Sequence, residues 1–177
     1  MRPDEREGGT PLNTEEALER LLRSYGAYYN VDRENPAPPF AAEAVFHSHD
    51  ERFFLVKSAK LSEAESHEYV FFAREGNLTA QRLQELAEAA WVTGTGRVTP
   101  HASHQSSDVL LEIVAESITP EAMAMIPKLK RYQSYRHTLH GWSHFRLFAL
   151  EAPSGRMACN RQGRSLKKVF QSIIAAQ

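Results

Sequence analysis

An acid and a lysine on neighbouring strands form the one arrangement in the N-terminal half of this chain that could do chemistry. Glu43 and Lys57 belong to two apolar runs, Glu43–Ser48 and Phe53–Lys57, separated by the polar His49-Asp50-Glu51-Arg52. That pattern predicts a β-hairpin. One register sets Glu43 opposite Lys57, Ala44 opposite Val56, Val45 opposite Leu55 and Phe46 opposite Phe54. Directly opposed side chains touch, so this register satisfies the apolar pairs and the charged pair together. A third run, Glu68–Ala73, adds a strand, and Glu65 and Glu68 bring further carboxylates.

Eight histidines lie between His47 and His144. A two-residue His140-Gly141 turn, with glycine supplying the positive φ, would make His137 and His144 cross-strand neighbours able to share a metal. No third ligand is identifiable, so the expectation is no metal and no cofactor. His101 and His104 fall in a loop containing proline and serine. The His47-x-His49 pair lacks the following acid of a cupin-type site, since Phe53 and Phe54 stand there.

The run Asn160-Arg161-Gln162-Gly163-Arg164-Ser165 opens the last helix. Free backbone N–H groups, two arginines and a serine at a helix start favour an anion. Arg161, Arg164, Ser165 and Lys168 are therefore the candidate anion-binding residues, with Lys167 beside them and Arg131 or Arg136 as further contributors. The alternative is a well-capped, solvated helix start.

The formal net charge of −1 conceals an asymmetry. Residues 1–127 hold 11 Lys and Arg against 21 Asp and Glu, whereas residues 128–177 hold 10 against the single Glu151. Such a split marks a surface for nucleic acid, a phosphorylated ligand or an acidic protein, or else two halves that complement each other within the fold or across a homodimer. The single cysteine, Cys159, excludes an internal disulfide and a cysteine-based zinc cluster. No apolar run approaches a membrane span and no signal peptide opens the chain, so the expected compartment is the cytoplasm.

These groups need a scaffold of helices and strands. Residues 1–12 are polar and read as a disordered tail, with residues 13–177 as one domain of 42% hydrophobic composition. Asn13 and Glu16 form a capping pair for a helix ending near Gly26, with Tyr25, Tyr28 and Tyr29 packing its end on the sheet. Thr79 caps a second helix closed near Gly94 and Gly96. Asp108–Ser117 is a strand, and Thr119-Pro120-Glu121 starts a short helix ended by Pro127. Tyr132–Leu139 and Trp142–Leu150 are strands, Arg156–Cys159 is a short return strand, and the last helix runs from about Gly163. The order α-βββ-α-β-α-ββ(β)-α predicts an α+β, or mixed α/β, fold with a mostly antiparallel or mixed sheet covered on both faces.

Over residues 14–117 this order resembles the core of the restriction-endonuclease-like superfamily. The resemblance implies a divalent metal held by two carboxylates, with a lysine assisting attack on a phosphodiester. Glu43 stands where its first acid would be and Leu55-Val56-Lys57 where its acid-x-Lys motif would be. Leu55 replaces the second acid, leaving Glu65 or Glu68 as substitutes. The phrases LVKSAKLSEAESHEYVFF and LHGWSHFRL also resemble a family of uncharacterised bacterial proteins over residues 43–170, a resemblance that implies no activity.

Three classes of function follow: a binding or regulatory module using the basic C-terminal half, a metal-dependent phosphodiesterase, and a self-complementary oligomeric protein. The module is the expected one.

Overall fold

The computed structural model describes residues 11–47 and 65–175, with His47 and Glu65 described in backbone only. The elements are α1 (Thr14–Tyr25), β1 (Asn30–Asp32), β2 (Ala42–His47), β3 (Glu65–Leu78), α2 (Ala80–Gly96), β4 (His104–Ile118), α3 (Pro120–Met125), β5 (Tyr132–Ser134), β6 (Trp142–Glu151), β7 (Arg156–Cys159) and α4 (Lys167–Ala175). The fold is α+β. Its seven-stranded mixed sheet runs β1-β2-β3-β4-β6-β5, with β7 also pairing β6. The three long central strands β3, β4 and β6 are parallel, and every outer pairing is antiparallel.

Local chemistry sets the helix starts. The Asn13 side chain accepts from the Glu16 N–H at 2.8 Å, and Thr79 and Thr119 cap α2 and α3 in the same way. Alternation along the central strands then divides the core. Tyr69, Phe71, Val109, Leu111, Ile113, Phe145 and Leu147 face α2 and α3. Val70, Phe72, Leu110, Val114, Phe148 and Leu150 face α1 and α4, where Phe148 stacks on Phe170 with centroids 4.1 Å apart. Burial on both faces explains the apolar run in β4, interrupted at Glu112. Among the described residues no helix is long and apolar enough to cross a membrane.

Several expectations change. The run Phe53–Lys57 lies outside the described residues, but both hydrogen-bonding edges of β2 are taken. Glu43 is flanked by Asp32 of β1 and Phe71 of β3. Leu12, assigned to the tail, is buried with α1. Helix α2 ends at Gly96, as expected, but Gly94 lies within its last turn. A Cβ at Gly94 would meet Val109 Cγ2 at 2.6 Å, so this glycine permits close approach to β4 rather than termination.

The β5–β6 connection is longer than a two-residue turn. The chain leaves β5 after Ser134, and Arg136, His137 and Thr138 all adopt positive φ (49°, 52° and 69°) in a single left-handed turn. Three consecutive non-glycine residues in this region carry backbone strain. Gly141 has the expected positive φ, 80°, but its essential property is contact: a Cβ there would collide with Gln105 O and with His104 Nδ1.

Candidate functional site

The β6 register carries His144 opposite Tyr132, with ring centroids 5.2 Å apart, and leaves His137 in the exposed left-handed turn. The expected His137–His144 pair is therefore not formed, because the strand ends three residues before His137. Among the described residues, no three His, Cys, Asp or Glu side chains are placed to share a metal ion.

Alternation also separates the expected acids. Glu43 projects with Val45 toward α2. It accepts from Arg97 Nη1 at 2.6 Å and from the Ala37 N–H, while the Arg97 guanidinium lies over the Phe71 ring. Glu68 stands opposite Phe46, on the α1 face. The two carboxylates lie on opposite sides of the sheet and cannot hold one metal between them. Glu65 begins β3, its side chain outside what is described, and Lys57 lies outside the described residues.

On the α2 face, His104 opens β4 instead of lying in a loop and is buried. Its ring contacts His140 O through Nδ1 (2.6 Å) and Ser107 Oγ through Nε2 (2.8 Å). A carbonyl only accepts, so Nδ1 carries the hydrogen, and in the neutral ring Nε2 accepts from the serine hydroxyl. A base oriented on a hydroxyl is the geometry of nucleophile activation. Ser107 is 0% exposed, however, so the pair ties β4 to the β5–β6 loop rather than meeting a substrate. The edge-on ring of Tyr135, whose hydroxyl bonds Ser143 Oγ at 2.9 Å, closes the same tie.

The α1 face carries a cluster that sequence reasoning missed. Glu68 on β3 and Asp108 on β4 are direct neighbours, and Arg146 on β6 donates to both: Nη1 to Glu68 Oε1 at 3.2 Å and Nη2 to Asp108 Oδ2. Tyr29 donates to Glu68 Oε2, and Tyr25, from the last turn of α1, donates to Glu112 Oε1. Burial pushes the Glu112 carboxyl up to about 8, opposed by the Tyr25 hydrogen bond and helped by the nearby Glu68 charge. Burial, with Glu112 close by, likewise holds the Tyr25 hydroxyl well above its ordinary value. The polar residue within the apolar DVLLEIVAES run was the available signal: Glu112 occupies an inward position of a strand covered on both faces.

The expected anion-binding residues Arg161, Arg164, Ser165 and Lys168 are all exposed. The segment Gln162–Leu166 is a 3-10 turn leading into α4, not the first turn of an α-helix. Its Gly163 N–H is already occupied by Asn160 Oδ1 at 2.8 Å. The side-chain amide of Asn160, a residue 1% exposed, makes four bonds: it also accepts from Leu147 N–H (3.0 Å) and donates to Leu129 O (3.0 Å) and Phe145 O (2.9 Å). Its amide fills the gap on the β6 edge between β5 and β7. In doing so it holds the Lys128–Arg131 segment against the start of the Arg161–Lys168 run. Arg131 pairs with Glu88 at 2.7 Å and so adds no free cation to this edge, while Arg136 lies in the β5–β6 turn, 3.4 Å from His140 Nε2. Among the described residues, Lys128, Lys130, Arg161, Arg164, Lys167 and Lys168 make no ion pair.

A family model described as Domain of unknown function (DUF8052) matches residues 13–172. Comparison with curated proteins and with solved structures gives no match.

Proposed function

The chain belongs to the DUF8052 family, whose function is unknown, and from that premise we propose that it is a binding module that holds an anionic ligand on its C-terminal basic edge. The observation that carries this reading is the Asn160 tie. It brings Lys128 and Lys130 beside the run that supplies Arg161, Arg164, Lys167 and Lys168, all exposed and without an acidic partner among the described residues. Unneutralised basic side chains gathered along one edge recruit phosphate or carboxylate groups.

The internal ion pairs support this reading over a self-complementary oligomer. Arg131–Glu88, Arg146–Glu68 and Arg146–Asp108 already join the basic half to the acidic half within one chain. The phosphodiesterase reading finds no support at Glu43, which is bound to Arg97 and lies across the sheet from Glu68. A cytoplasmic location is part of the proposal.

Fluorescence anisotropy with a labelled single-stranded oligonucleotide tests it. Binding is expected to weaken steeply with salt, since counterion release scales with the phosphates contacted. The double charge reversal Arg164→Glu, Lys168→Glu is expected to abolish it. No binding at low ionic strength, or binding indifferent to salt and to the reversal, refutes the reading.

A further inference from the structure

Alternation along the last strands puts three flat rings on one side of the sheet. Leu129 packs against the core beneath α2 and Arg131 bonds Glu88 of α2, so Lys130 and Tyr132 project to the opposite, α1 side. On β6 that side carries Trp142, His144, Arg146 and Phe148. Tyr132 stands directly opposite His144, their ring centroids 5.2 Å apart and their planes tilted by 45°. Trp142 is opposite Ser134 and so lies diagonal to Tyr132, within the reach of large aromatic side chains. Tyr132, on the strand that ends the sheet, is 55% exposed, and Trp142 and His144 are half-buried.

Cations border these rings. Lys130 precedes Tyr132 by two residues on the same side, about 7 Å along the strand. On the other flank the approach to α4 lies against β6: a Cβ at Gly163 would sit 2.3 Å from Leu147 O, and Phe170 stacks on Phe148. Helix α4 then runs toward the β6–β7 turn, where Ile174 Cδ1 is 3.9 Å from a Cβ built on Gly155. Lys167 and Lys168 are therefore at the end of α4 nearer His144. The acids next in line across the sheet, Glu68 and Asp108, are both bonded to Arg146.

We propose that the anionic ligand is a single-stranded nucleic acid, with a base stacked on Tyr132 beside His144 and Trp142 and phosphates held by Lys130, Lys167 and Lys168. The proposal rests on the basic-edge reading and adds ring contacts to it. Charge alone suits any polyanion. Exposed rings beside that charge select one that also offers flat base faces, and such stacking tolerates any base sequence. A duplex keeps its base faces inside its own stack, and an acidic peptide offers carboxylates without them. Both are poorer fits to an edge that pairs cations with open aromatic side chains.

Anisotropy on the full chain tests this with a labelled oligothymidylate, an abasic strand of the same length, a duplex and polyglutamate. The oligothymidylate is expected to bind tightest, ahead of the more highly charged duplex. Tyr132→Ala should weaken its binding by about tenfold, the scale of one stacked base, and Tyr132→Phe should retain it. Stacking carries no charge, so Tyr132→Ala should leave the salt dependence unchanged, whereas Arg164→Glu, Lys168→Glu removes the binding itself. Equal affinity for the abasic strand, or unchanged affinity in Tyr132→Ala, overturns the stacking proposal and leaves the basic-edge reading standing. Equal or tighter binding of polyglutamate also overturns it and points to an acidic protein. Failure to bind any of the four at low salt overturns both.

Discussion

Glu68 and Asp108 stand directly opposite each other on the parallel strands β3 and β4, and one guanidinium, Arg146, bonds both. Like charges placed this way repel, so the arrangement depends on the arginine. Arg146→Met should destabilise the protein by roughly 2–3 kcal/mol, less than a fully buried pair because Glu68 and Arg146 touch solvent. In an Asp108→Asn background the same substitution should cost less. Urea denaturation of the double-mutant cycle measures the coupling, and strict additivity would show that Arg146 acts only by packing.

Glu112 predicts how stability varies with pH. Its folded value, raised to about 8 by burial, lies above the ordinary 4.5. For a group raised on folding, stability is fully present below the unfolded value and is lost as pH rises toward the folded one. Between pH 4.5 and about 8, Glu112 therefore erodes stability by about 1.4 kcal/mol per pH unit at most. Glu112→Gln keeps a neutral acceptor for Tyr25 and removes this dependence. Denaturation at pH 5.5, 7 and 8.5 should show the variant gaining on the wild type as pH rises. Parallel profiles would refute the assignment.

Asn160 is expected to be among the most sensitive polar residues. Asn160→Ala removes four hydrogen bonds and leaves the buried Phe145 carbonyl and the part-buried Leu129 carbonyl without that donor. A loss of about 3 kcal/mol is expected. Asn160→Asp should do no better, because it keeps the acceptor but turns a carboxylate toward two carbonyls. Both should weaken anion binding more than they weaken helix content, readable by anisotropy and circular dichroism on the same samples.

Two glycines give a steric contrast. Gly141→Ala places a Cβ against Gln105 O at a positive φ and should cost about 2 kcal/mol or more. Gly76→Ala meets nothing within 4 Å and should change stability by about 0.5 kcal/mol or less. Thermal melts of the two variants distinguish them, and a neutral Gly141→Ala would show that the β5–β6 loop yields.

Helix starts were legible from the residues alone because capping is local. Asn13 needs only Glu16 three residues on, and Thr119 with Pro120 needs only Ala122. The apolar run of residues 108–117 likewise announced a strand. Alternation, however, assigns a side chain to a face and never names the neighbouring strand. The partner of Glu43 was set by Asn30–Asp32 and Glu65–Leu78 occupying both edges of β2, contacts up to 28 residues away in sequence. The site was hidden for the same reason. Asp108, Glu112 and Arg146 each read as an isolated charge and Glu68 as a candidate companion of Glu43, and only the parallel registers of β3, β4 and β6, with α1 laid across them, make them one cluster.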